Sequence, residues 1–127
     1  MILKLDFDLE IPIYLQIKNQ IIIGIANREL SDGDELPSVR VLAEDIGVNM
    51  HTVNKSYALL KDEGYIKIDR RKGAIISLDF DHTNKTFNEK LNKDMEIYIA
   101  ECINREISLE TLKDKIEKIF EEYRKEE

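Results

Sequence analysis

The chain of 127 residues has one cysteine, two prolines, five glycines and no tryptophan. A lone cysteine, Cys102, cannot form an internal disulfide, so the cytoplasm is the expected compartment. So little proline and glycine leaves small scope for long loops, and order is expected nearly throughout. No apolar run approaches the roughly 20 residues of a membrane helix. The longest, Ile21–Ala26, is interrupted by Gly24, and no membrane partner is expected. The first residues, Met1–Asp6, lack the basic region and long apolar segment of a signal peptide.

Signs of catalysis are equally scarce. The two histidines, His51 and His82, lie far apart without cysteine or carboxylate at ligand spacing. There is no nucleophile elbow, P-loop or dinucleotide-binding glycine fingerprint. Cys102 falls on an apolar stripe, which reads as a small hydrophobe. The carboxylates are dispersed over helix faces, as on a solvated surface. No enzyme activity, cofactor or metal is expected.

Positive charge is also short overall, at a net −7. That balance weighs against a general nucleic-acid binder. The exception is local: Lys67, Arg70, Arg71 and Lys72 crowd against one acid, Asp69. An acidic remainder would suppress non-specific binding while this patch acts.

What is present is strong periodicity. Residues 1–10 alternate apolar and acidic, which reads as an N-terminal arm packing a few side chains. Pro12–Glu29 reads as a helix with Tyr14, Ile17, Ile21 and Ile25 on its apolar stripe and Gln16, Lys18, Asn19 and Gln20 polar. Gly24 inside it leaves room for a close approach. Ser31–Asp34 is a turn cluster. A short helix follows from Ser38, its N-cap, to a stop at Gly47, with Val41, Leu42 and Ile46 inward. Another runs from the Asn49 cap to Glu63, with Gly64 as its stop. Only Val48 and Asn49 separate Gly47 from that helix, so the two must turn sharply, as a helix-turn-helix does. Period two then appears in Tyr65–Ile68 and Ala74–Leu78, flanking Asp69–Gly73: a β-hairpin with a basic tip.

That order of parts reads as a DNA reader, against the alternative of a solvated helix end. The first turn of a recognition helix points its side chains at base edges in the major groove. Here that turn holds Met50, His51 and Thr52, followed by Asn54 and Lys55. His51, Thr52 and Asn54 can hydrogen-bond, Met50 can meet a thymine methyl, and Lys55 can reach a phosphate.

Four strings resemble the GntR family: Pro12–Ile17 (PIYLQI), Leu36–Ala43 (LPSVRVLA), Gly47–Val53 (GVNMHTV) and Tyr57–Ile66 (YALLKDEGYI). The resemblance spans about residues 11–78 and implies a winged helix-turn-helix. It places Arg40 at the start of the second helix against DNA, Thr52 in the recognition turn, and Arg70, Arg71, Lys72 and Gly73 at a tip that approaches the minor groove. The family often has arginine where this chain has Met50 and asparagine where it has His51. Those departures bear on base preference; an absent guanine contact removes about 1–3 kcal/mol of discrimination. The DNA face so read comprises Ser38, Arg40, Met50, His51, Thr52, Asn54, Lys55, Arg70, Arg71, Lys72 and Gly73.

About 48 residues follow, Phe80–Glu127, with two amphipathic helical patterns. Phe87, Leu91, Met95, Tyr98 and Cys102 form the first stripe, flanked by Ile99 and Ile103. Leu112, Ile116, Ile119 and Tyr123 form the second, with Ser108 as its cap. Two such helices cannot bury both stripes alone. The short tail resembles the YtrA-like subfamily, which implies dimerisation through Leu91, Met95, Tyr98, Leu112, Ile116, Ile119 and Tyr123.

The expected protein is thus α+β, mainly α: a winged helix-turn-helix DNA-binding domain over 1–79 and a helical dimerisation region over 80–127. Its expected function is a homodimeric repressor on a palindromic double-stranded DNA operator. The alternatives are a sensor with a small-molecule effector at the dimer interface, or a winged helix used for protein–protein contact.

Overall fold

The structure, a computed structural model, describes residues 3–124. It divides into two compact units, one ending at Phe80 and the other beginning at Asp81. The first holds helices α1 (Ile13–Ala26), α2 (Val39–Ile46) and α3 (Met50–Glu63), then strands β1 (Ile66–Asp69) and β2 (Gly73–Ile76). The second holds α4 (Asn84–Asn104) and α5 (Leu109–Tyr123).

Pro12, expected in the first helical turn, is instead the N-cap of α1, with φ −54° and an extended ψ of 144°, and its carbonyl accepts from the Leu15 and Gln16 N–H groups at 3.0 and 3.1 Å. The helix ends three residues before the Glu29 expected from periodicity. Arg28 adopts a left-handed φ of 70°, which folds the chain back. The Leu30 N–H then donates to the Gly24 carbonyl at 2.9 Å. Gly24 makes this return feasible: an added Cβ would lie 3.2 Å from Leu30 Cδ1. The close approach at Gly24 is therefore by a returning loop, not by a second helix.

The α2 and α3 boundaries follow their caps. Ser38 Oγ accepts from the Val41 N–H at 3.1 Å, and Gly47 closes α2 in the left-handed region. Asn49 Oδ1 accepts from the His51 N–H at 2.7 Å. One residue of tight backbone, Val48, bonds back to the Ala43 carbonyl at 3.0 Å.

β1 and β2 pair antiparallel with Ile66 opposite Ile76 and Asp69 opposite Gly73. β1 sits one residue later than the expected Tyr65–Ile68, and β2 ends two residues before Leu78. The Ser31–Asp34 turn cluster leads into something the periodicity did not show. Gly33 and Leu36 N–H groups donate to the carbonyls of Ile76 and Ala74 at 2.7 and 2.8 Å, and the Ile76 N–H donates to the Asp34 carbonyl at 2.8 Å. This short segment covers the outer edge of β2, through a bridge of Glu35 with Ile75.

The core lies where these pieces meet. Ile17 and Ile21 of α1, Leu42 of α2, Val53 and Leu60 of α3, Ile66 and Ile76 of the hairpin and Leu36 form one buried cluster. Each such side chain contributes about 1.5–3 kcal/mol. Gln16, expected on a polar face, is buried, because it clamps the arm. Its amide accepts from the Asp6 N–H and donates to the carbonyls of Asp6 and Ile11, all at 2.9 Å. Gln20 pairs in the same way with the Lys4 backbone. The arm from Leu3 to Asp6 is held as a strand would be, with two side-chain amides acting as the neighbouring backbone.

In the second unit α5 starts at the expected Ser108, whose Oγ accepts from the Thr111 N–H at 3.1 Å. Neither α4 nor α5 contains a buried residue.

Candidate nucleic-acid interface

The recognition helix is built from the inside out. Val53, Ser56, Tyr57 and Leu60 of α3 are buried. The same helical period turns Met50, His51, Asn54 and Lys55 to solvent. Thr52, expected among them, is half-buried, since its position flanks the inner stripe. Tyr57 fixes the helix-turn-helix angle. Its hydroxyl donates to the Pro37 carbonyl at 2.7 Å, tying α3 to the residue before the α2 cap. Burial pushes that phenol well above its usual pKa, so it stays a donor at all working pH.

Ser38 and Arg40 are exposed at the start of α2. The Ser38 hydroxyl is already engaged as a helix cap, and Arg40 extends into solvent.

Two residues of α1, Tyr14 on the expected apolar stripe and Lys18 on the expected polar face, reach the recognition helix. The Lys55 ammonium sits 4.0 Å from the Tyr14 ring centroid. Ser56 Oγ, fully buried, donates to the Tyr14 carbonyl at 2.5 Å. Lys18 pairs with Glu63 at 2.5 Å. The sequence places Tyr14 on an apolar stripe; its ring face toward Lys55 arises from the α1–α3 packing, which spacing along one helix does not report.

At the wing, Arg70, Arg71, Lys72 and Gly73 are all exposed. Gly73 takes φ +78°, which lets the turn close in so few residues. Asp69 organises that turn. Its Oδ1 accepts from the N–H groups of Arg71 at 2.7 Å and Lys72 at 3.1 Å. These bonds, with Lys72 and Lys67 nearby, hold its carboxyl below the usual range. A depressed pKa means that its contribution is present above the unfolded carboxylate range and lost as pH falls through the folded value. The wing turn is therefore intact at neutral pH. Asp69→Ala is expected to loosen the Arg71 and Lys72 amides and weaken DNA binding. Asp69→Asn keeps an acceptor oxygen while removing a negative charge, and should tighten binding severalfold at low salt. Amide NMR shifts with a binding titration check both; a tighter Asp69→Ala would count against the turn's role.

The tail residues lie in the other unit. Leu91, Met95, Tyr98, Ile116 and Ile119 are exposed, with Tyr98 at 68%. Leu112 and Tyr123 are partly exposed. Cys102 is half-exposed, not buried, because α4 has no interior of its own. Among the described residues no group of histidine, cysteine and carboxylate side chains could hold a metal ion. No helix among them is long and apolar enough to cross a membrane.

Residues 13–76 match the family described as bacterial regulatory proteins, gntR family. Over 66 residues the chain is 44% identical to the HTH-type transcriptional repressor YtrA of Bacillus subtilis (strain 168), covering 52% of this chain and 51% of that protein. The chain spans about half the length of the curated relatives it matches. Two solved structures share more of its length. YtrA from Sulfolobus acidocaldarius, a GntR-family transcription factor, superposes with a TM-score of 0.68 at 39% identity, over 79% of this chain and 99% of that one. A transcriptional antiterminator from Listeria monocytogenes EGD-e superposes with a TM-score of 0.83 at 25% identity, over 94% and 93%. The exposed recognition turn, the capped α2 before it and the basic wing after it all lie within the matched segment, and the chain belongs to the gntR family of bacterial regulatory proteins.

Proposed function

We propose that this chain is a sequence-specific DNA-binding transcription regulator acting as a homodimeric repressor on a palindromic operator, in the cytoplasm. One observation carries the reading: a capped helix whose first turn faces solvent, followed by a hairpin whose basic tip is ordered by Asp69. Arg40 and Lys55 anchor the phosphate backbone. Met50, His51, Thr52 and Asn54 face base edges, and Arg70, Arg71 and Lys72 hold the flanking groove. Residues 1–79 serve as the reader and 80–127 as the dimerisation region. Two readers related by a two-fold axis meet half-sites about one DNA turn apart, or a multiple of it. Repression is the sense supported by the Bacillus relative, a transcriptional repressor.

The test is a titration of DNA from upstream of its own gene at several salt concentrations. The full chain should bind as two copies per duplex with a steep salt slope. Arg70→Ala with Arg71→Ala should lower that slope by up to about 1.8, near 0.9 for each lost phosphate contact. Absent binding, or a slope that ignores both substitutions, sinks the assigned DNA face.

A further inference from the structure

Two lysines face the α1–α3 junction, and their charges meet different fates. Lys18 is mostly buried and paired with Glu63, so its charge is neutralised. Lys55 is exposed, and among the described residues no carboxylate pairs with it. Its ammonium instead rests over the Tyr14 ring, 4.0 Å from the centroid. A ring face within about 6 Å attracts a cation without cancelling its charge. The contact therefore localises the ammonium and leaves it available to an anion.

The ring itself is held in the frame of α3. Tyr14 lies in the first turn of α1, directly after Pro12 and Ile13. Its carbonyl accepts from the fully buried Ser56 hydroxyl at 2.5 Å, the residue next to Lys55. One turn further along α1, the Lys18–Glu63 pair fixes the same two helices. Lys55 also follows His51 by four residues, so the two share one exposed face of α3.

We propose that Tyr14 is a positioning residue for DNA contact, its ring presetting the Lys55 ammonium as a phosphate-binding cation beside the base-facing turn of α3. The proposal rests on the DNA reading above. A lysine free in solution loses much rotamer freedom when it is captured by a phosphate. Holding it on the ring removes part of that loss before DNA arrives.

The test uses the full chain and a duplex of about three helical turns, selected by the wild-type chain from a randomised pool. Lys55→Gln should lower the salt slope by about 0.9, the loss of one phosphate contact. Tyr14→Leu keeps the charge, so the slope should stay while affinity falls about two- to fivefold, the scale of an exposed cation–π contact. Tyr14→Phe keeps the ring and should bind as wild type does. In the Lys55→Gln background, Tyr14→Leu should add nothing. Without DNA, the Lys55 side-chain protons should show a ring-current shift in the wild type and Tyr14→Phe but not in Tyr14→Leu. A Tyr14→Leu loss that persists without Lys55, a Tyr14→Phe as weak as Tyr14→Leu, or no ring-current shift overturns the proposal. A wild-type chain that enriches no duplex overturns the DNA reading, and this proposal with it.

Discussion

Gly64→Ala is expected to destabilise the first unit by roughly 2–5 kcal/mol, read as a lower urea midpoint at unchanged slope. Two costs combine. Gly64 has φ +97°, where an L side chain costs about 1–2 kcal/mol. The space is also taken: an added Cβ would stand 2.2 Å from the Asp79 carbonyl oxygen and 3.2 Å from Phe80 Cδ1. That backbone cannot retreat easily, because the Asp79 N–H donates to the Gly64 carbonyl at 2.9 Å and the Phe80 ring meets Tyr65 edge-on at 5.0 Å. Overpacking of this kind adds about 1–3 kcal/mol. Gly47 separates the two costs. It has a similar φ of +71° but nothing within 4 Å of an added Cβ. Gly47→Ala should therefore lose only about 1–2 kcal/mol. Equal losses at the two glycines would mean that the Asp79 contact contributes nothing. Since domains are stable by only about 5–15 kcal/mol, the larger loss leaves the reader marginal.

Gly64 also marks what was legible in the sequence. Its role as a helix stop follows from one string, Leu60–Tyr65, because a helix C-terminus is a local event. So are the Ser38 and Asn49 caps, the Val48–Asn49 turn and the alternation of the hairpin. Each depends on residues within a few positions of one another, and each helix type and strand pair was readable from them. The contacts that bring distant segments together were not. Gln16 reads as polar surface, and is buried because the arm supplies backbone groups for its amide. Tyr14 reads as core, and turns its ring to Lys55 because α1 docks on α3. Ser31–Asp34 reads only as a turn, yet from Gly33 to Leu36 the chain runs along β2 as a strand edge because β2 offers it carbonyls. Asp69 counts against the basic patch in a charge sum, and in the fold arranges the patch. Composition weighs charges one by one; geometry decides which of them act on a neighbour's backbone.

Ile116→Asp is expected to raise the dimer dissociation constant about 10²- to 10⁴-fold and yield a monomer by sedimentation. Ile116 is 46% exposed in a helix without a single buried residue, between Leu112 and Ile119 on one stripe. In a two-fold dimer one substitution acts twice. Losing the burial of one isoleucine removes about 1.5–3 kcal/mol, so the pair removes about 3–6 kcal/mol, at about 1.4 kcal/mol per tenfold. Lys118→Gln makes the same unit change in net charge on the opposite face of α5, and should leave the dimer intact. The substitution should also reduce helicity. Most helical stability in a protein comes from packing an amphipathic face, and neither α4 nor α5 has an interior of its own. In the dimer proposed above their order would be coupled to association, and thermal melting of the wild-type tail signal should shift upward with protein concentration. DNA binding should fall with the dimer, since two readers linked through one interface bind far more tightly than either alone. An Ile116→Asp chain that keeps the dimer mass would show that the α5 stripe is not the interface. A tail that melts independently of concentration would show that its helices do not depend on a second copy.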